Sequence, residues 1–239
     1  MANVKMKKAL ICLSGGMDST TSLYYIKDKF KCDIQCVSFF YNQKHKREIE
    51  MAKYHCEKMN IAHDIIDITF LNTITKNVSS LTGDIDIPEG MYDQDNMKST
   101  VVPFRNGIML SILASYADSN NCDTIIYGAH TGDHAQYPDC TPTFNRSMEK
   151  AIYFGTHNKI ELFAPFMEIN KNDICKIGLS LSVDYSKTWT CYNGKEKPCG
   201  KCGSCVERNE AFLTNNSKDP LYTDEDWEQA VNFYNEVSH

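Results

Sequence analysis

The chain has 239 residues, 42% hydrophobic and 23% charged, with a formal net charge of −6 at pH 7. That is the balance of a globular protein in water, long enough for one large domain or a domain with an appendage. The acidic charge argues against sequence-independent nucleic-acid binding, which relies on Lys and Arg at phosphates. A small-molecule substrate is expected, and no nucleic-acid partner. No apolar stretch approaches the ~20 residues of a membrane span, and the apolar run near the N-terminus is too short for a secretion signal. A cytoplasmic protein without a membrane partner is expected, so its 11 cysteines need a role other than disulfides.

The first apolar run, Ala9 to Leu13, predicts a short buried strand. It leads into Ser14-Gly15-Gly16, and helix-compatible residues follow from Asp18 to Asp28. Strand, glycine turn and helix N-terminus together build a phosphate site. Glycines permit close approach, backbone N–H groups aim at the anion, and the helix dipole adds positive charge. The lysine of a Walker loop is absent. A turn that needs glycine for geometry alone would explain Gly-Gly by itself. The hydroxyls of Ser14, Ser19 and Thr20, all phosphate donors, favour function. Asp18 suits a Mg²⁺ ligand or a first-turn helix carboxylate.

Cys32 to Phe40 predicts a second strand. Lys44 to Met59 predicts a helix with Ile49, Ala52, Cys56 and Met59 on one face. His63 to Ile68 predicts a third strand. Residues 79–102 are polar with weak periodicity, and read as a long loop that serves as a lid and is disordered without ligand. Phe104 to Ser119 predicts a helix, Thr124 to Tyr127 a strand, residues 141–156 a helix and Lys159 to Ala164 a strand. Asn170 or Asn172 caps a helix to about Leu181, and Asp224 to Val237 reads as a terminal helix. Alternating strands and helices predict an α/β fold: a parallel sheet with helices on both faces. Ligands then sit beyond the carboxyl ends of the strands, where the loops after Leu13, Phe40, Tyr127 and Ala164 converge.

From Ser186 the alternation stops, which divides residues 1–185, a nucleotide-binding and substrate domain, from a metal-binding region, 186–239. Residues 186–212 read as a small knuckle held by Cys191-x7-Cys199-x2-Cys202-x2-Cys205. Four thiolates in so short a span suit one tetrahedral Zn²⁺ per chain, and Gly200 and Gly203 permit the tight turns required. Unpaired surface thiols and an iron–sulfur cluster are the rivals. The long first gap, with no Cys-Pro after the run, favours zinc. Four protein ligands leave no open position, so the site is expected to be structural. The seven scattered cysteines read as small apolar fillers.

Ser-Gly-Gly-x-Asp-Ser, residues 14–19, resembles the PP-loop of the ATP pyrophosphatase (adenine nucleotide alpha-hydrolase) superfamily. "YNQKHKREIE" (41–50), "VPFRN" (102–106), "GAHTGDHAQYPDC" (128–140), "KNDI" (171–174), "TWTCY" (188–192) and "CGKCGSCVERNEAF" (199–212) follow in order. Across nearly the whole chain they are similar to the 7-cyano-7-deazaguanine synthase family. The resemblance implies a Rossmann-like, HUP-type fold and an ATP-dependent C–N ligase of queuosine and archaeosine biosynthesis. It implies ATP with Mg²⁺, 7-carboxy-7-deazaguanine and ammonia as substrates, with adenylation of the carboxylate and then of the amide. The products are the nitrile, AMP and pyrophosphate. It further implies one four-cysteine zinc and a homodimer.

By that resemblance, Leu13, Ser14, Gly15, Gly16, Met17, Asp18, Ser19 and Thr20 bind ATP, and Tyr41, Gln43 and His45 shape its adenosine side. Asp18, Ser19, Arg105, Asp133 and Lys171 form the catalytic set. The planar fork of Arg105 fits a phosphate or the substrate carboxylate. Lys171 offers a cation to pyrophosphate, against the plainer reading of an exposed lysine at a helix start. Asp133 and Asp139 are placed to accept the amidine-like edge of the base, Tyr137 to stack on it and Phe144 to wall the pocket. His130 and His134 suit proton transfer, but a solvated loop position is the favoured reading of both. Asn42, Thr141 and Thr190 depart from the family's usual glycine, arginine and serine. Two rival readings stay open: a PP-loop paralogue that adenylates another acceptor, as in tRNA thiolation with Cys140 as a thiol, and a non-catalytic nucleotide-binding module.

Overall fold

The computed structural model describes residues 6–41, 47–75, 78–81, 86–91, 95–133, 137–193 and 195–238. Five strands, β1 (Lys8–Cys12), β2 (Asp33–Phe40), β3 (Ala62–Asp67), β4 (Thr124–Ile126) and β5 (Glu161–Phe163), form one sheet in the order β3-β2-β1-β4-β5. Every pairing is parallel, with Ile11 in register with Cys36 on one side and Ile126 on the other. The crossovers include α1 (Met17–Lys29), α2 (Arg47–Met59), α3 (Leu71–Thr75), α4 (Arg105–Ser119) and α5 (Pro142–Gly155). They are followed by α6 (Lys171–Ser180), α7 (Gly203–Thr214) and α8 (Asp224–Val237). Each expected strand and helix is present, most with shifted ends and α8 with the ends expected. Two helices went unpredicted, α3 and α7. The second occupies part of the segment read as a bare knuckle.

The continuous apolar run of β1 reflects burial on both faces of a parallel sheet. Ala9, Ile11 and Leu13 point to one face, among Leu23 and Ile26 of α1 and Ala52 and Cys56 of α2. Leu10 points to the other, among Leu110, Leu113 and Ala117 of α4 and Ile152 of α5. Each such side chain contributes roughly 1.5–3 kcal/mol by leaving water.

Three helices start on side-chain caps: Thr141 accepts from Phe144 N–H at 3.2 Å, Asn170 from Asp173 N–H at 3.0 Å and Thr223 from Asp226 N–H at 3.1 Å. Asn170, not Asn172, therefore caps α6. Helix α1 begins at Gly16 without a side-chain cap, so its first-turn N–H groups are left for a ligand. The chain leaves β1 toward β2 on one side and returns at β4 on the other. The crevice between the ends of β1 and β4 is the switch point at which such sheets bind ligands.

Parts of residues 79–102 pack against this edge. Ser79, Ser80, Leu81, Thr100 and Val102 are buried, and a short 3₁₀ turn spans Asp95–Thr100. Gly90 N–H donates to Lys201 O at 3.0 Å and Ser80 N–H to Ser99 O at 2.8 Å. Residues 82–85 and 92–94 lie outside the described residues.

The C-terminal segment is tied down by Arg208 on α7, which is 1% exposed. Its Nε and Nη2 donate to Asp219 at 2.6 and 2.9 Å. Its Nη1 donates to Thr188 and Thr190 at 2.8 and 3.0 Å, and Nη2 also to Tyr185 O at 3.1 Å. A buried ion pair with every hydrogen bond made holds its geometry well, and removing one partner typically costs about 3–5 kcal/mol.

Candidate active site

A cavity of about 230 Å³ opens at the switch point. Its floor is the turn after β1. Gly15 has φ +86°, and a Cβ there would lie 1.9 Å from Glu48 O on α2, so the turn needs glycine for both conformation and space. Gly15 O accepts from Trp189 N–H at 2.9 Å, which joins the loop to the C-terminal segment. Ser14 and Ser19 face each other across the turn with hydroxyls 2.9 Å apart, and Ser19 Oγ also accepts from Ser14 N–H at 3.1 Å. On the β4 side, Gly128 sits so close that a Cβ would meet Ser19 N at 3.2 Å. Backbone N–H groups, two hydroxyls and the N-terminus of α1 thus converge on one point, the arrangement that binds phosphate.

Beside this loop lies a cluster of charges. Lys171, the first residue of α6, is 6% exposed rather than an open helix-start lysine. Its Nζ is 2.6 Å from Glu207 Oε2 and 3.4 Å from Asp18 Oδ2. Burial alone would lower its pKa, but Asp18, Glu207 and Asp133 outweigh burial and raise it above the ordinary lysine value, so it stays charged.

His130 was read as a solvated loop residue, and the structure corrects this: it is 1% exposed. Its Nδ1 accepts from Gly132 N–H at 3.1 Å, which leaves the ring proton on Nε2. Nε2 lies 3.7 Å from Asp18 Oδ2 and 3.6 Å from Asp133 Oδ2, between two cavity-lining carboxylates. Nothing local in the sequence signals this, because the burial comes from the packing of loop 128–133.

Elsewhere on the cavity wall, Arg105 Nη1 donates to Tyr41 Oη at 3.3 Å and the guanidinium stands 5.8 Å from that ring's centroid. Tyr137, 6% exposed, shares a 2.7 Å hydrogen bond with Thr100. Arg105, Asp133, Tyr137 and Lys171 line the cavity, and so do Leu13, Ser14, Gly16, Met17, Asp18 and Ser19 of the phosphate loop. Gly15 and Thr20 do not: Gly15 shapes the turn, and the Thr20 side chain is buried behind it. Nor do Asp139 and Phe144. Asp139 Oδ2 accepts from Asn106 N–H at 2.7 Å, which caps the first turn of α4 and seats Arg105. Phe144 packs edge-on against Phe104 at 5.9 Å. Gln43, His45 and His134 lie outside the described residues. Cavity residues that sequence reasoning missed include Glu48, Asn106, Trp189, Tyr192 and Ser204. All five lie within the stretches that carry the family resemblance, at 41–50, 102–106, 188–192 and 199–212, but none is singled out there as a site residue.

Cys12 and Cys140 also line the cavity. Burial pushes the Cys12 thiol up to about 12 and the Cys140 thiol higher still. Both are protonated and poor nucleophiles near neutral pH.

The four cysteines of the knuckle meet. Their Sγ atoms all lie within 4.8 Å of one another, a group able to hold a metal ion, and Cys199 and Cys205 are 3.9 Å apart. Tetrahedral bonds of ~2.3 Å to one ion would place sulfurs roughly 3.8 Å apart. Cys199 N–H points at Cys191 Sγ and Cys202 N–H at Cys199 Sγ, both at 3.3 Å, as suits thiolate acceptors. Cys202 stands at the N-cap position of α7, without a side-chain cap bond, and Cys205 lies in its first turn.

Fold and site together define a Rossmann-like α/β protein with a PP-loop at the switch point of its sheet. NMN synthetase from Francisella tularensis has a similar fold, with a TM-score of 0.52 over 98% of this chain and 86% of that one, at 14% identity. More particularly, the chain belongs to the queuosine biosynthesis protein QueC family, whose model matches residues 8–216. It is 50% identical over 214 residues to the 7-cyano-7-deazaguanine synthase of Hahella chejuensis, covering 90% of this chain and 92% of that protein. It is 47% identical over 227 residues to the enzyme of that name from Caldicellulosiruptor saccharolyticus, covering 94% and 100%.

Proposed function

We propose that this chain converts 7-carboxy-7-deazaguanine and ammonia to 7-cyano-7-deazaguanine, using two ATP and releasing two AMP and two pyrophosphate. The observation that carries this reading is one cavity lined by the phosphate loop and Lys171, by Asp133 beside them across His130, and by Arg105 and Tyr137. That arrangement lets a carboxylate meet the α-phosphate of a bound nucleotide. The carboxylate oxygen attacks that phosphorus and pyrophosphate leaves into the loop. Negative charge grows on the departing oxygens, where the N–H groups of α1, the Ser14 and Ser19 hydroxyls and Lys171 are already oriented. Ammonia then displaces AMP to give the amide. The amide oxygen takes a second AMP in the same way, and loss of that AMP with the amide protons leaves the nitrile.

Asp18 Oδ1 is buried without a hydrogen-bond partner among the described residues, so it fits a cation that arrives with the nucleotide. Mg²⁺ held there neutralises phosphate charge when bound. Asp133 would accept the donor edge of the base and Tyr137 would face its ring. Asp139 acts at one remove, by seating α4. Tyr41 belongs to the adenosine side, with Gln43 and His45 in the same role. The cysteine cluster is read as one structural zinc, since all four ligand positions are taken. A cytoplasmic homodimer, with the division at residues 185/186 and no nucleic-acid partner, completes the reading. The protonated, buried thiols of Cys12 and Cys140 argue against a thiolating paralogue.

The test is incubation with ATP, Mg²⁺, an ammonium salt and 7-carboxy-7-deazaguanine, followed by nucleotide analysis and mass spectrometry. AMP with a nitrile product is expected. ADP would overturn the PP-loop reading. AMP formed with some other acceptor alone would keep the mechanism and reject the substrate.

A further inference from the structure

Glu207 belongs to the C-terminal cysteine segment by sequence and to the nucleotide site by position. It lies on α7, two residues past Cys205, and its side chain is 13% exposed. One carboxylate oxygen, Oε2, takes a 2.6 Å hydrogen bond from Lys171 Nζ. The other is lodged against the loop after β4, where a Cβ on Gly132 would stand 2.5 Å from Oε1. Three segments distant in sequence are therefore shaped around this one carboxylate: loop 128–133, the start of α6, and α7.

Lys171 needs such a partner. A cation in the first turn of a helix is opposed by the dipole, and a buried ammonium is costly without nearby anions. Among the described residues, the two carboxylates in ion-pair range of it sit unequally, Glu207 at 2.6 Å and Asp18 at 3.4 Å. The short contact fixes the ammonium, and the long one is the contact that an arriving phosphate oxygen can take over. Without the anchor, the ammonium would close on Asp18. That collapse would occupy the carboxylate suited to the nucleotide's cation and turn the lysine away from the loop.

We propose that Glu207 is a positioning residue for the nucleotide site: it holds Lys171 apart from Asp18, so that the lysine serves the pyrophosphate. Because Glu207 rides on the helix that starts after Cys202 and contains Cys205, the cysteine cluster sets the place of a charge in the active site as well as the local fold. The inference rests on reading the phosphate loop as a pyrophosphate site.

The experiment is calorimetric titration of the metal-loaded, full-length protein with magnesium pyrophosphate. Parent, Glu207→Gln and Glu210→Gln are compared, each checked for metal content and melting temperature. Glu210 is one turn along α7 and touches Asn172 rather than Lys171, so it controls for the α6–α7 contact itself. Glu207→Gln should keep its metal and bind pyrophosphate about tenfold or more weakly, as for a buried charge pair that loses one partner. In turnover its KM for ATP should rise while its KM for the carboxylate substrate stays put. Glu210→Gln should bind pyrophosphate as the parent does. Should Glu207→Gln fail to fold, Glu207→Asp, which keeps the charge but shortens its reach, should show the same weakening in smaller measure. Parent-like affinity in Glu207→Gln, or equal weakening in Glu210→Gln, would overturn the inference and leave the functional reading standing. A parent protein that binds no pyrophosphate would overturn both.

Discussion

Replacing Gly15 with alanine should destabilise the fold before any question of catalysis arises. The new methyl carbon would stand 1.9 Å from Glu48 O and 2.8 Å from Ala52 N, both backbone atoms of α2, at a φ of +86°. The left-handed conformation costs an L residue roughly 1–2 kcal/mol. Moving a packed helix to make room adds about 1–3 kcal/mol, as overpacking does. The sum, about 2–5 kcal/mol, is a large share of the roughly 5–15 kcal/mol that holds a typical domain together. At about 2–4 °C per kcal/mol for a chain of this size, the melting temperature should fall by roughly 4–20 °C. Gly16 supplies the internal control. A Cβ there meets Ser14 Oγ at 3.2 Å, a side-chain tip that can rotate at the cost of its bond to Ser19 rather than a fixed backbone atom, and Gly16 has an ordinary φ of −74°. Gly16→Ala should therefore melt close to the parent. Differential scanning calorimetry on both variants decides the matter. A Gly15→Ala protein that melts within about 2 °C of the parent would refute the reasoning.

Acid should destabilise the protein through His55. Burial lowers its pKa, and its two ring nitrogens are engaged by Tyr24 Oη at 3.1 Å and Lys187 O at 2.8 Å. The folded value lies below the unfolded one, so stability is whole above the ordinary histidine value of 6.5 and is lost as pH falls through the folded value. Between about pH 7.5 and 5.5, denaturant midpoints should drop less in His55→Gln than in the parent; equal drops would count against this. Chelation should loosen the cysteine segment and expose Trp189, whose Nε1 donates to Cys191 O at 3.0 Å. In a Trp227→Phe background, emission should shift to the red, and unchanged emission would tell against a structural metal. Asp139→Ala should cost about 1–2 kcal/mol by uncapping α4 and orphaning Asn106 N–H. Asp133→Asn should leave the melting temperature nearly unchanged while reducing turnover, so a fall in stability that matched the Asp139 variant would reverse the two assignments.

Much of the fold was legible because its signals are local. The run Ala9–Leu13 is apolar on every residue since both faces of its strand are covered, and that shows in one dimension. The glycine turn is equally plain, because no other residue type supplies the φ and the clearance that Gly15 needs. The cysteine spacing belongs with these, since a short chain can bring four sulfurs together without help from the rest of the protein. Helix α7 was obscured by the cysteines that begin it: Cys202 stands where a Ser or Asp cap would have marked the start.

The strands, the phosphate loop and the four-thiol cluster are written in the order of residues along the chain. The arrangement of charge is set by packing between distant segments. His130 has no local feature that marks it as buried between Asp18 and Asp133. Asp139 resembles Asp133 in the same loop, yet one carboxylate caps a helix and the other faces the cavity. Lys171 and Glu207 are 36 residues apart, and their contact exists because α7 packs against α6. Strand and turn preferences follow from neighbours along the chain. The partners of a buried charge follow from whichever elements the whole fold brings within a few ångströms, and that is settled when the core closes.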